Sequence, residues 1–407
     1  MSNSQLEVAD VFEAYGTAYL EANANATFAE QRRVMNDIVN CRTAALGGEV
    51  EQCDTCGHTE VLFHSCRNRH CPKCQAAARA DWLDARAQDL LPGVEYYHVV
   101  FTVPDDKVAD VALQNKRVVY RILFRAAAET LMTIARDPKH LGAEIGFLTV
   151  LHTWGQQLLH HPHVHCVVAG GGIAPDGERW ISCRKNFFLP VRVLSRLFQK
   201  KFLAYLDGAY RSAKLSFRGK LDGLDDPEAW KRFLASLYDL DWVVYAKPPF
   251  GGPERVLKYL ARYTHRVAIS NQRLVSLDDG KVTFRWKDYA HGNAQRTMTL
   301  DAVEFIRRFL LHTLPVGFVR IRHYGFLANR KRRERLALCR KLLGNADDAM
   351  PAAVEVPEEL ISDAADKEKS HRCPVCKEGR MLFVETLQPA LKRSGLPHTS
   401  VSRCDTT

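Results

Sequence analysis

The chain has 407 residues, 46% of them hydrophobic and 26% charged, an ordinary globular balance that excludes wholesale disorder and implies two or three domains. Its 57 basic and 47 acidic side chains leave a net charge of +10, which favours a polyanionic partner. No run of about 18 apolar residues offers a membrane span, and the opening MSNSQLEVADVFEAYG lacks the basic and apolar regions of a secretory signal, so the expected compartment is the cytoplasm, with no membrane partner.

In chain order, residues 5–40 read as helical, with apolar residues at three-and-four spacing. A cysteine-rich block runs from 41 to 74. AAARADWLDARAQDLL then reads as a helix that stops at Pro92-Gly93. Tyr96 to Val103 (YYHVVFTV) is predicted as a buried strand, KRVVYRILFRAAAETLMTIAR as a long amphipathic helix, and GFLTVLHTW as a second strand. HVHCVVAG is a third strand running into a glycine-rich turn, GGGIAPDG. FFLPVRVLSRLFQKKFLAYL is a helix with proline near its start, and DWVVYAKPP a short strand. Glu254 to Tyr263 is a helix candidate, followed by a hairpin turning at Asp279-Gly280 and a helix in DAVEFIRRFLLHTL. Strands and helices mix without regular βαβ alternation, so the expected class is α+β with a mainly antiparallel sheet. The expected organisation is a helical, Cys/His-rich module over 1–90, a main domain over 91–345, an acidic linker over 346–370 and a tail over 371–407.

Six of the 12 cysteines lie between Cys41 and Cys74. Reduced cytosolic thiols in such a cluster point to metal rather than disulfides, with a redox dithiol as the alternative. Cys53-x2-Cys56 and Cys71-x2-Cys74 are separated by fourteen residues, and two such knuckles complete one tetrahedral zinc site. Cys41, His58, Cys66 and His70 remain and suit a second ion, the pairing being open. With every position filled by protein, one or two Zn²⁺ ions here are structural or DNA-binding rather than catalytic. The later pair Cys373 and Cys376 is half a site, to be completed by Cys339, His371 or Cys404, or left empty.

In HHPHVHCVVAGGG, residues i and i+2 of a strand face the same way, so His163 and His165 project together. Pro162 marks the expected strand start. Two imidazoles on one side of a strand can hold a divalent cation with open positions, and such a cation can polarise a phosphodiester oxygen. The third ligand is expected from His152, or next from Gln156. VLKYLARYTHR places Tyr259 and Tyr263 four apart, on one helix face. Alone they read as a half-buried aromatic pair. Lys258, Arg262, His265 and Arg266 surround them with positive charge, which favours a phosphate and eases phenol ionisation. A tyrosine oxygen attacking phosphorus would give a covalent intermediate. From Arg320 to Lys341 there are nine Lys/Arg and one acid, Glu334, beside His323, Tyr324 and Phe326, which are expected to stack on bases. Arg320, Arg322, Arg330, Lys331, Arg332 and Arg333 are the candidate nucleic-acid contacts there.

Taken together, CRTAALGG…CDTCGH…SCRNRHCPKCQ, HPHVHCVVAGGG, KYLARYTHRVAISNQRL, WKDYAHG and RIRHYGFLANR resemble the rolling-circle transposases of the insertion-sequence-91 family, part of the HUH nuclease superfamily, over about residues 10 to 345. The resemblance implies an antiparallel HUH-type sheet with a tyrosine helix across it, over 91–345. It implies Mg²⁺ or Mn²⁺ at His163 and His165, Tyr259 and Tyr263 as nucleophiles, and a 5′-phosphotyrosine intermediate. The implied partners are single-stranded DNA at element ends and target DNA, met at the bacterial nucleoid. Arg262 and Arg266 would contact that DNA. A replication initiator of the same chemistry and a non-catalytic zinc-dependent DNA binder are the alternatives.

Overall fold

Three long apolar segments build the main antiparallel sheet, and helices of the same unit pack on its two faces. The computed structural model describes residues 6–75, 82, 86–184, 188–250, 256, 268–288, 291–344 and 372–390. In chain order its principal elements are α1 (Val8–Ala22), α2 (Ala29–Val39), β1 (Gly48–Cys53), β2 (Thr59–Phe63), β3 (Tyr96–Thr102), α3 (Asp105–Gln114) and α4 (Lys116–Arg136). There follow β4 (Glu144–Trp154), β5 (His160–Ile173), β6 (Trp180–Ser182), α5 (Val191–Arg211), α6 (Pro227–Tyr238) and β7 (Val244–Phe250). The last are β8 (Leu274–Asp278), β9 (Lys281–Asp288), β10 (Ala294–Asp301), α7 (Ala302–Leu311), β11 (Ile321–Gly325), α8 (Arg332–Leu342) and β12 (Met381–Leu387). The class is α+β.

The described residues within 79–265 and 314–361 form one unit. Its sheet has the order β11-β4-β5-β3-β7, every pair antiparallel, with β6 against β5. Because neighbours along a strand face opposite ways, Tyr97, Val99 and Phe101 of β3, Phe147 and Leu151 of β4, and Val164, Cys166 and Val168 of β5 enter one core. That core closes against the apolar stripes of α4 (Tyr120, Leu123, Ala127, Leu131) and α5 (Leu194, Phe198, Phe202, Leu206). On the opposite face Tyr96, Leu148, Val150 and Val167 pack with Leu91, Phe326, Leu336 and Cys339. Phe326 can lie flat there only because residue 146 is glycine: a Cβ would stand 2.4 Å from its ring.

Two local expectations change. Gly170 to Gly172 are not a turn but continue β5 to Ile173, between close neighbours: a Cβ on Gly172 would sit 2.4 Å from the Glu144 carbonyl oxygen. β5 also begins at His160 rather than after Pro162. Pro162 is accommodated because the β4 register shifts between His152 and Trp154, and β3 pairing ends at His163, so no ladder partner needs its missing N–H.

The other unit gathers described residues within 1–78, 266–313 and 362–407. Its limits do not coincide with the expected boundary near residue 90, and it includes residues of the expected tail over 371–407. The amphipathic α7 closes on α1, where Phe12 meets Phe309 edge to face at 5.2 Å, and Gln31 Nε2 donates to the Leu310 carbonyl at 3.0 Å. The β8–β9 hairpin turns at Asp279 (φ 46°) and Gly280 (φ 73°), and β10 adds a third strand on β9. A second sheet, β12-β1-β2, includes the strand after the acidic segment.

Candidate metal centres and nucleic-acid interface

The histidines of the second sheet face converge. His152 stands directly opposite His163 across β4 and β5, with His165 two residues further along. One ring nitrogen from each of His152, His163 and His165 lies within 4.8 Å of the others. His152 and His165 are buried, at 3% and 8% exposure, and His163 is half-buried. The backbone and a fourth histidine orient the rings. His163 Nδ1–H donates to the His161 carbonyl at 2.7 Å, which leaves Nε2 with its lone pair as the ligand atom. His165 Nδ1 lies 2.8 Å from His98 Nε2, the two rings stacked at 9°. With His98 as acceptor, His165 also offers Nε2. Trp154 stacks on His152 with centroids 4.8 Å apart.

His98 on β3 is a site residue the sequence reading missed. One histidine in an apolar run reads as a core residue, although its parity with Tyr96 already puts it on the histidine face. Burial first, then Lys247 and His163, pushes its pKa down to about 3, so it is neutral. Gln156, the second choice for third ligand, lies beyond the end of β4, whereas His152 is in the group. Tyr259, Tyr263, Arg262 and Arg266 lie outside the described residues. Val256, three positions before Tyr259, is helical, fully buried and packed in the apolar cluster on the histidine face.

The thiols sort into two groups of four, in a pairing different from the one spacing implied. Cys41, Cys66, Cys71 and Cys74 form the first, with Cys41–Cys74 at 3.5 Å and Cys66–Cys74 at 3.6 Å. The crowded S–H groups stabilise one thiolate at the expense of others. Hydrogen bonds from Cys41, Cys66 and Cys71 pull Cys74 well below the ordinary thiol value, while Cys66 is pushed up. A divalent cation relieves that conflict by letting all four ionise. Cys53 and Cys56 belong instead with Cys373 and Cys376. His58 and His70 are in neither group: His58 offers its carbonyl to Cys53 N at 2.8 Å, and the His70 N–H donates to Asn68 Oδ1 at 2.9 Å. Cys339, a candidate to complete the late pair, is buried in the apolar cluster beneath α8, and His371 and Cys404 lie outside the described residues.

The basic segment divides by role. Arg330, Lys331, Arg333 and Lys341 are exposed. Arg320 is buried at 9% exposure, Arg322 lies 4.0 Å over the Phe124 ring, and Arg332 pairs with Asp89 at 3.1 Å. These three make contacts within the fold. Base stacking by Phe326 and Tyr324 is corrected, because Phe326 is buried and Tyr324 stacks on Phe147 at 5.1 Å.

Residues 11–103 match the family described as "Transposase zinc-binding domain", and residues 146–335 the family described as "Putative transposase". Over 387 residues the chain is 57% identical to "Putative transposase y4qJ" of Sinorhizobium fredii (strain NBRC 101917 / NGR234), covering 95% of this chain and 96% of that protein. It is 29% identical over 320 residues to "Transposase for insertion sequence element IS801" of Pseudomonas savastanoi pv. phaseolicola, covering 78% and 73% respectively. No solved structure matches. A zinc-binding transposase domain, an antiparallel sheet and these relatives define a DNA-cleaving and strand-transferring enzyme. The chain belongs to the insertion-sequence-91 family of transposases. Its substrate is accordingly DNA, and its zinc-binding domain encloses all four thiols of the first group. Among the described residues no helix is long and apolar enough to cross a membrane.

Proposed function

We propose that this transposase cuts and rejoins single-stranded DNA at its element's ends by tyrosine attack beside a histidine-held cation, through a 5′-phosphotyrosine intermediate. The observation that carries the reading is the convergence of His152, His163 and His165 on one sheet face, two of them from the His-Val-His strand. Three neutral imidazoles with further positions open suit a divalent transition ion such as Mn²⁺ better than Mg²⁺, whose preference is for oxygen. When bound, Mn²⁺ or Mg²⁺ supplies Lewis-acid polarisation of the scissile phosphodiester.

The chain's residues do the rest. His161 and His98 hold the ring tautomers of His163 and His165. Tyr259 or Tyr263 gives up its phenolic proton and attacks phosphorus. The P–O3′ bond breaks, the 3′ oxygen leaves and takes a proton, and the 5′ phosphate stays on the tyrosine. A 3′ hydroxyl later reverses the exchange at the second end or the target. Arg262 and Arg266 fall beside those tyrosines in sequence and would bind the flanking phosphates.

The test is an end-bearing single-stranded oligonucleotide with Mn²⁺. A denaturant-resistant protein–DNA adduct should form. It should vanish when Tyr259→Phe and Tyr263→Phe are combined, and equally with His163→Ala plus His165→Ala. An adduct that persists in the double tyrosine variant would overturn the reading.

A further inference from the structure

The second thiol group draws its ligands from the two ends of the described chain, Cys56 and Cys373 being 317 positions apart. We propose that Cys53, Cys56, Cys373 and Cys376 hold a zinc ion of their own, a clasp that fastens the C-terminal strand to the N-terminal one. The residues matched by the zinc-binding family end at 103, so half of these ligands lie beyond them. The clasp does not depend on the tyrosine chemistry proposed above.

Distances fit the ion. Tetrahedral zinc with bonds of about 2.3 Å holds sulfurs about 3.8 Å apart, and here Cys53–Cys376 is 3.7 Å and Cys56–Cys373 is 3.5 Å. Both halves are built as the same knuckle. Gly57 N donates to the Cys53 carbonyl at 3.1 Å, and Lys377 N to the Cys373 carbonyl at 3.0 Å. Each of these fifth residues of the knuckle has a left-handed backbone, Gly57 at φ 70° and Lys377 at φ 61°. A lysine accepts that conformation only where its surroundings impose it. Backbone N–H groups point at the sulfurs, from Thr55 and Cys56 to Cys53 Sγ at 3.4 and 3.5 Å, and from Gly379 to Cys376 Sγ at 3.3 Å. Such donors favour thiolates.

The knuckles also lock to each other. Asp54 N donates to the Arg380 carbonyl at 3.1 Å, and Arg380 N donates to Asp54 Oδ1 at 2.9 Å. A Cβ on Gly379 would stand 2.4 Å from Cys53 Sγ. From this lock β12 runs antiparallel along β1, Met381 opposite Cys53 and Leu387 opposite Gly48. Little apolar burial holds that strand. Leu382, Phe383 and Val384 are 53–60% exposed, and the cluster beneath it consists of Cys53, Cys373 and Met381 with Cys376 against them. A core this small is of the kind that a structural metal replaces. The first thiol group completes itself within residues 41–74, whereas the clasp cannot form until residue 376 has been made.

Zinc per chain, measured by native mass spectrometry on the full-length protein, tests this. The wild type should carry two ions. Cys373→Ser plus Cys376→Ser should carry one, Cys53→Ser plus Cys56→Ser one, and all four substitutions together still one, because both pairs share a single ion. Protease should then cut within 372–390 in each variant and spare it in the wild type. Two ions retained without Cys373 and Cys376, or a lower count in the quadruple variant than in the doubles, would overturn the clasp. So would loss of both ions from a double variant, since the first group holds its ion unaided.

Discussion

The hydrogen bond between His165 and His98 gives the proposed cation site a requirement that spacing alone does not reveal. His98 must accept at Nε2 for His165 to present its own Nε2. His98→Ala should therefore lower Mn²⁺ affinity about 10–100-fold, the usual cost of losing an orienting partner. His98→Gln, whose amide oxygen can accept the same bond, should recover part of it, and paramagnetic resonance titration reads both. Burial also holds His98 and His160 near pKa 3 and His323 near 4, against 6.5 for a free imidazole. These groups are neutral in the fold and take up protons on unfolding. Their contribution to stability is then whole above pH 6.5 and falls as pH drops toward 3–4. The urea midpoint should fall from pH 7 to pH 5, and the fall should be smaller in His160→Gln, which removes one such group. At this scale the sequence made His163, His165 and His152 legible through strand parity. It hid His98, which looks like core, and it led to His58 and His70, because local spacing cannot report cysteines that arrive from hundreds of residues away.

Among elements, α4 and the strands β3, β4 and β5 were readable because each carries a long, regular apolar period, and the β8–β9 hairpin because Asp279-Gly280 dictates its turn. β12 could not be read in the same way, since Leu382, Phe383 and Val384 are consecutive and all exposed, and three glycines in β5 mimic a turn while serving close strand approach. The basic segment looked uniform but is two things. Five of its cations, at 320, 322, 332, 335 and 340, make contacts within the fold, Arg335 with Glu144 and Arg340 with the Gln88 carbonyl among them. Arg330, Lys331 and Arg333 are exposed around the start of α8. Replacing these three by Ala should weaken single-stranded DNA binding and reduce the slope of log affinity against log salt by about 2. Arg332→Ala should leave that slope unchanged and lower thermal stability instead, as its bonds to Asp89 and the Leu327 carbonyl are lost. Filter binding across salt concentrations, with melting curves, separates the two classes.

At the scale of the whole molecule, the division into two units does not follow chain order. The hairpin and α7 within 268–311 join the N-terminal helices because the apolar face of α7 is completed by α1, and the late strand joins them through paired backbone and thiols. Composition located the cysteine block, yet it could not tell that distant segments of the chain belong to one unit. Such long-range closure is a property of complementary surfaces rather than of any local pattern. In the proposed reaction a phenolic oxygen of this chain becomes the temporary anchor of a DNA 5′ phosphate beside three imidazoles. Peptide mass spectrometry of nuclease-trimmed adduct tests it most directly. A residual nucleotide should remain on the peptide carrying Tyr259 or Tyr263, and none when His163 and His165 are alanine; a nucleotide on any other residue, or cleavage of the correct end with no protein-linked product, would rule the phosphotyrosine out.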